Sequence, residues 1–217
     1  DVYVTDKEKI ALDRMKKKIF PKRYGKWDNN IKTFTLNKIV NKNLNYDLVI
    51  IGTPPSSHLD IYNYCKKKIS FNKILIEKPL CHIKEEKLNN FKKDLNKKLI
   101  FCGYNHSISP SFKFFENNIL KNIKFINKIE VKWCEAWDGI LKAHFWLKDE
   151  SKSYLGNYKY GGGALQEHSH GLHLLFLILK INRINLSNIK LKKNIFFNKN
   201  KKYDLISSIS GYDKKKY

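Results

Sequence analysis

The sequence predicts an α/β fold: an open parallel sheet flanked by helices, followed by an α+β half with an open, mainly antiparallel sheet. Three observations predict it. Two short runs, DLVIIG (47–52) and KILIE (73–77), are apolar without polar alternation, as strands covered on both faces are. Segments with three- and four-residue apolar spacing separate the strands, as crossover helices do. After about residue 105 the pattern changes. In KIEVKWCEAW (128–137), Ile129, Val131 and Trp133 alternate with charged neighbours, which marks an antiparallel strand with one wet face.

In chain order, DVYVT alternates and is β-rich, so it reads as a strand ending at Asp6. Leu12, Met15 and Ile19 then predict a helix, which Pro21 stops. Residues 22–46 are polar and turn-rich, with one short strand at Thr33-Phe34-Thr35. The DLVIIG strand closes on Gly52 and two prolines. In SSHLDIYNYCKKK, Leu59, Tyr62 and Cys65 share one helical face, with Ser56 or Ser57 as the N-cap. After the KILIE strand, Ile83, Leu88, Phe91 and Leu95 predict a helix over 83–96, and LIFCGY (99–104) is a strand again. A helix around 110–121 leads into the long strand at 128–137. A polar, aromatic stretch (138–160) precedes three glycines and an apolar helix ending at Leu179. Two β-like segments, near 187–197 and 203–210, close the chain, and no segment repeats.

The 217 residues suffice for one large domain or two small ones. Hydrophobic residues at 42% and aromatics at 13% exclude a disordered chain, and 10 Gly with 5 Pro exclude a collagen-like one. No stretch is long and apolar enough for a membrane-spanning helix, since Leu172–Leu179 is broken by His173 and ended by Lys180. The four cysteines (Cys65, Cys81, Cys102, Cys134) form no C-x-x-C pair and read as reduced thiols of a cytoplasmic protein. Lys+Arg at 43 against Asp+Glu at 20 give a net charge of +23, but the lysines come in short clusters everywhere. A nucleic-acid stripe would concentrate them on one element among stacking aromatics. Specific nucleic-acid binding is therefore not expected, although weak salt-dependent adhesion to polyanions is.

Ligands of open parallel sheets sit at the carboxyl ends of the strands. There the sequence places Asp6, then Gly52-Thr53-Pro54-Pro55, then Glu77-Lys78-Pro79, then Tyr104-Asn105-His106. A carboxylate in the position of Asp6 can accept from a ribose hydroxyl, which favours NAD over NADP, or can cap the helix that follows. Lys78, between a buried strand and a proline, is held at the sheet edge rather than in a regular element. In GGGALQEHSHGLH (161–173), a helix starting near Ala164 would put Glu167, His170 and His173 on one face. A carboxylate beside an imidazole of near-neutral pKa is an acid/base pair. The same stretch, His168-x-His170-x-x-His173 with Glu167, offers ligand types for a metal ion, although histidines two apart, such as His168 and His170, point to different faces of a helix.

Together these segments resemble the Gfo/Idh/MocA family of NAD(P)-dependent sugar oxidoreductases. The resemblance rests on DLVIIGTPPSSHLDI, ILIEKPL with its E-K-P signature, GYNHSISPSF, and GGGALQEHSHGLHLL, in the family's order and spacing. It implies a Rossmann-like dinucleotide-binding domain over 1–105 and an α/β substrate domain over 106–217, whose open sheet often carries an oligomer interface, so a homo-oligomer is expected. It implies hydride transfer between NAD or NADP and a sugar or nucleotide-sugar secondary alcohol, with Lys78 and His170 catalytic and Glu167 orienting the imidazole. Thr53, Pro54, His58, Glu77 and Asn105 would line the cofactor cleft with Asp6 and Lys78. The order SYLGNYKYGGGALQEHSH is most similar to the branch acting on surface-polysaccharide sugars. No metal is implied.

The chain departs from the family in two ways. His173 stands where many members have Asp, and Gln166 stands where many have a carboxylate four before the histidine. No G-x-G-x-x-G turn is present to cradle a pyrophosphate, and the chain opens at what resembles the family's second strand. The expectation is an internal fragment of a longer enzyme, lacking the first β-α unit and binding cofactor poorly alone. Two rival readings remain: a metal-dependent hydrolase or lyase built on Glu167, His170 and His173, and a non-catalytic basic binding protein.

Overall fold

The structure, a computed structural model, describes residues 1–35, 44–82, 85–95, 99–123, 126–197 and 200–213. By packing, the chain divides into two compact units, Asp1–Tyr46 with Cys65–Ser70, and Asp47–Tyr64 with Phe71–Tyr217. The boundary at 105/106 that the motifs imply falls inside the second unit.

In the first unit, β1 (Val2–Asp6) pairs in parallel with β2 (Ile31–Thr35), from Val2 opposite Ile31 to Asp6 opposite Thr35. The Tyr3 ring lies against Phe34 and Tyr46. The helix after β1 does not stop at Pro21. It runs as α1 (Lys9–Arg14), a wide π turn (Met15–Ile19) and α2 (Phe20–Tyr24), with Leu12 buried. Proline has no N–H and crowds the carbonyl four residues back. The π turn just before it spares the helix that contact, and Gly25 at φ 83° ends it instead.

β3 (Asn45–Ile51), β4 (Ser70–Ile76) and β5 (Leu99–Cys102), which belong to the second unit from Asp47 and Phe71 onward, form a three-stranded parallel sheet in that order. Lys73–Ile76 pair with Leu99–Cys102 in register. This is a mixed α/β, Rossmann-like arrangement, with the antiparallel part farther along the chain. A tight turn (Pro55–Ser57) leads into α3 (His58–Lys68), whose Leu59, Tyr62 and Cys65 are all buried, as their spacing predicts. Neither serine caps this turn through its side chain; the Ser57 hydroxyl donates to Thr53 Oγ1 and to the Pro54 carbonyl. The helix expected over 83–96 is shorter: α4 spans Leu88–Lys92, residues 85–87 and 93–95 are not helical, and 83–84 and 96 lie outside the described set. Phe91 of α4 packs edge-on against Tyr62, whose hydroxyl donates to Asp94 at 3.2 Å.

The two-sided cover expected of the parallel sheet holds on one face. Ile51, Ile74 and Ile76 are at most 2% exposed, while Leu48, Ile50, Leu99 and Phe101, pointing the other way, are 48–59% exposed. Period-two geometry puts the two sets on opposite faces, so apolar composition alone overstated the burial.

Beyond the sheet, Ser109 caps α5 (Pro110–Asn118) by accepting from Phe112 N–H. The strand expected at 128–137 is not formed. Residues 128–136 carry no ladder, and α6 spans Trp137–Ala143. The alternation was real but served a different contact. Val131 and Trp133 lie against Gly171, where an added Cβ would come 2.6 Å from Trp133 Cβ. Tight turns carry the chain through 150–160 to the glycines. The last helix, α7 (His170–Ile181), starts six residues later than expected, and residues 164–169 are turns. β6 (Ile189–Phe197) and β7 (Asp204–Asp213) form a two-stranded antiparallel ribbon, close to the segments the sequence marks. No helix of the described residues is long and apolar enough to cross a membrane.

Candidate active site

The carboxyl ends of β3, β4 and β5 are tied together by backbone bonds that continue the ladders, Glu77 N–H to Ile51 O at 2.9 Å and Gly103 N–H to Ile76 O at 2.8 Å. The Glu77 carboxylate lies over Gly103, where a Cβ would meet Oε2 at 2.7 Å. The Lys78–Pro79 peptide is cis.

His58 does not line a cleft. It is fully buried, with Nδ1 3.1 Å from both the Pro79 and Leu80 carbonyls and Nε2 against the Thr53 carbonyl. One ring thus fastens the loop after β3 to the loop after β4. Each buried carbonyl left unpaired costs about 1–3 kcal/mol. His58→Ala is therefore expected to lower the thermal midpoint sharply, and an unchanged melt would remove His58 from this role.

Lys78 carries the clearest geometry. Its Nζ donates to Glu167 Oε1 at 2.7 Å and to the Glu167 carbonyl at 2.6 Å, across 89 residues of chain, with both side chains largely covered. Tyr154 Oη donates to the other carboxylate oxygen, Oε2, at 3.0 Å. Burial, and then the Glu167 carboxylate, push the Tyr154 phenol far above its ordinary pKa, so it stays a donor.

What delivers Glu167 is the glycine turn. Gly161 and Gly163 take φ 99° and 89°, the left-handed region where only glycine is at ease. A Cβ on Gly162 would collide with the Tyr154 and Leu155 carbonyls, and one on Gly163 with the Asp204 carboxylate. Asp204 is 1% exposed. Its backbone carbonyl accepts from Ala164 N–H at 3.0 Å and its Oδ2 from Leu165 N–H at 2.8 Å. These bonds hold 164–169 in turns, which is why the helix begins only at His170.

A cleft of about 630 Å³ opens here. Gly52, Thr53, Pro54, Glu77 and Lys78 form one wall, Glu167 and Tyr154 another, and Glu135, His168 and the apolar side of α6 a third. Of the predicted site residues, Thr53, Pro54, Glu77, Lys78 and Glu167 converge here. Asn105 is exposed at the start of a turn, and Asp6, in the first unit, uses its carboxylate to accept from Glu8 N–H at 2.8 Å in the turn before α1, so it does not cap that helix, whose N-cap is Glu8.

His170 is not among the lining residues. It is buried among the rings of His106 (4.5 Å between centroids), Trp133 (5.2 Å) and Tyr104 (5.9 Å), and its Nδ1 has no partner. Burial first, then the Lys78 cation, lower its pKa to about 4, well below the near-neutral value expected of an acid/base imidazole. Glu167 is committed to Lys78 and Tyr154, and His173 stacks on Tyr104 with centroids 4.0 Å apart. The three residues of the metal reading therefore do not converge, and among the described residues no group of three or more ligand side chains does. A depressed histidine withholds a proton from the folded state that the unfolded chain binds. Stability is then complete above the ordinary pKa of 6.5 and is lost as pH falls toward 4. Between those values wild type is expected to lose more thermal stability on acidification than His170→Asn, and parallel curves would contradict the burial account.

Two histidines do line the cleft, His168 and His144, the latter with Nδ1 2.8 Å from the Ile140 carbonyl. His168 Nδ1 lies at ion-pair distance, 3.0 Å, from Glu135 Oε1 but without hydrogen-bond geometry, and that oxygen accepts from Trp133 Nε1 at 2.6 Å. Burial raises the pKa of Glu135, but the Trp133 N–H, His168 and the Lys78 cation together hold it below its usual value. The sequence marks His168 only as a ligand type for a metal, and gives no sign of Glu135 beside it, nor of Tyr154 and Asp204. Glu135 looked like the wet side of a strand, and nothing near Tyr154 or Asp204 in the sequence marks their partners.

Fold and cleft together define a Rossmann-like α/β protein with polar groups gathered at the strand ends. No protein-family model matches the chain, and no curated protein matches it. Among solved structures the chain is similar to a crystal structure of an NAD-binding protein from Listeria innocua, with a TM-score of 0.51 and 15% identity. The match covers 97% of this chain and 61% of that one. At that identity the likeness is one of fold, and the chain spans less than two thirds of that protein's length.

Proposed function

We propose that this chain carries the reaction cleft of a nicotinamide-dependent oxidoreductase of the Gfo/Idh/MocA type, acting on a secondary alcohol or the corresponding ketone, a sugar being the substrate class that its motifs resemble. The observation that carries this reading is the convergence of Lys78, Glu167 and His168 on one cleft at the carboxyl ends of parallel strands, the place where such sheets bind ligands. The residues fit a nicotinamide: Gly52, Thr53 and Pro54 offer a backbone ledge with open space above Gly52, and Ala136, Ile140 and Ala143 offer an apolar wall. NAD or NADP, when bound, supplies the hydride acceptor or donor.

The chain's own groups manage the oxygen and its proton. Lys78, aimed by two bonds to Glu167, donates to the substrate oxygen and stabilises the charge that develops there. His168, on the cleft lining beside Glu135, is the group placed to take the hydroxyl proton in oxidation and return it in reduction. His170, packed against Trp133 and off the cleft lining, keeps its proton off.

The test is an assay of the protein with NAD or NADP and a panel of sugars and nucleotide sugars, in excess chelator. Reduced nicotinamide appearing in its near-ultraviolet band, unaffected by chelator, is the expected result. Chelator-sensitive hydrolysis without any nicotinamide signal would overturn the proposal.

A further inference from the structure

We propose that a second cleft, adjoining the first, receives a phosphate or diphosphate group of the substrate. This deepens the function proposed above and rests on the Lys78 cleft being the reaction site. The second cleft has a volume of about 600 Å³ and shares two walls with the first, Pro54 and Tyr154. A substrate whose alcohol lies at Lys78 can therefore extend past the Tyr154 ring into it. Its lining includes three lysines, Lys152, Lys201 and Lys202, and one carboxylate, Glu150.

That carboxylate is already answered. Lys201 Nζ pairs with Glu150 Oε1, and Tyr203 Oη donates to the same oxygen at 3.0 Å. The Lys201 bond, chiefly, holds the Glu150 pKa below its usual value. Lys152 and Lys202 are then in excess. Both are exposed, and among the described residues neither lies within ion-pair distance of a carboxylate, although Asp149 nearby feels the Lys152 charge. Two cations at separate points of one cleft match a group with several charged oxygens, which a phosphoryl group presents and a neutral sugar does not. Tyr160, 53% exposed on the same lining, gives a flat apolar surface for whatever the phosphoryl group carries.

The experiment is calorimetric titration of inorganic pyrophosphate into the protein without nicotinamide. Three proteins are compared: wild type, the double variant Lys152→Ala/Lys202→Ala, and a charge-matched control, Lys192→Ala/Lys193→Ala, on the exposed strand β6. All four side chains are exposed, so both variants are expected to fold. Affinity should fall by about tenfold or more in the cleft variant and hardly change in the control. Equal weakening in both variants would mean diffuse attraction to a basic surface and would overturn the proposal. So would unchanged binding in the cleft variant, or no binding to wild type. Because no cofactor is present, the outcome is separable from that of the hydride-transfer reading. Pyrophosphate bound as expected with no turnover on any alcohol sinks only the latter, and turnover with indifferent pyrophosphate sinks only the former.

Discussion

Lys78→Ala is expected to lower kcat/KM by about 10²–10³-fold, the usual loss when a pre-aimed donor to a developing charge is removed. Cofactor affinity should be spared, since the fastening of the strand ends belongs to His58 and the backbone bonds to Ile51 and Ile76 rather than to the lysine. The loss should appear in kcat as well as in kcat/KM, because the donor is stronger toward the transition state than toward the bound alcohol. Glu167→Gln should fall between the two, keeping an acceptor for Lys78 Nζ while losing the charge. Calorimetry of cofactor binding beside steady-state rates checks this. Unchanged turnover in Lys78→Ala would remove the lysine from the chemistry.

The second large effect concerns folding. Gly163→Ala forces a side chain onto a residue at φ 89° and drives its Cβ into the Asp204 carboxylate. The left-handed backbone alone costs about 1–2 kcal/mol for a non-glycine residue. The collision adds to it, because Asp204 is held by Leu165 N–H and the Ser207 hydroxyl and cannot swing away without unpairing them. A marginally stable domain loses a large share of its stability this way. Gly52→Ala is the comparison, since nothing lies within 4 Å of its added Cβ. Thermal melts should show a fall of many degrees for the first and little change for the second. Equal melts would mean that Asp204 does not pin the turn.

These two predictions divide along the line between what the residues reveal locally and what only the fold assembles. The order of strands and helices in the parallel part was readable, because buried parallel strands have an apolar signature and Leu59, Tyr62 and Cys65 repeat at helical spacing. Lys78 and the glycine run were readable too, since a lysine between a strand and a proline, and three consecutive glycines, each break a local rule for a reason. The sense of the glycine run was not. Helical spacing from Ala164 put Glu167 beside His170, but the turn is fixed by Asp204, forty residues downstream of Ala164, and no local pattern announces a capping group that far away. The same distance hides Glu135, whose place in an alternating segment suggested a wet sheet face when Val131 and Trp133 were packing on Gly171. His58 was legible as a residue of the strand-end segment but not in its role, because the three carbonyls that surround it come from two loops that only folding brings together.

The most direct measurement is a crystal structure of the protein with reduced nicotinamide cofactor. The account predicts that the nicotinamide ring opens onto the cleft of Gly52, Pro54, Lys78 and His168, with space at about 3–3.5 Å for a substrate carbon between ring and lysine. A nicotinamide seated elsewhere, with Lys78 and His168 out of reach of it, would contradict the account.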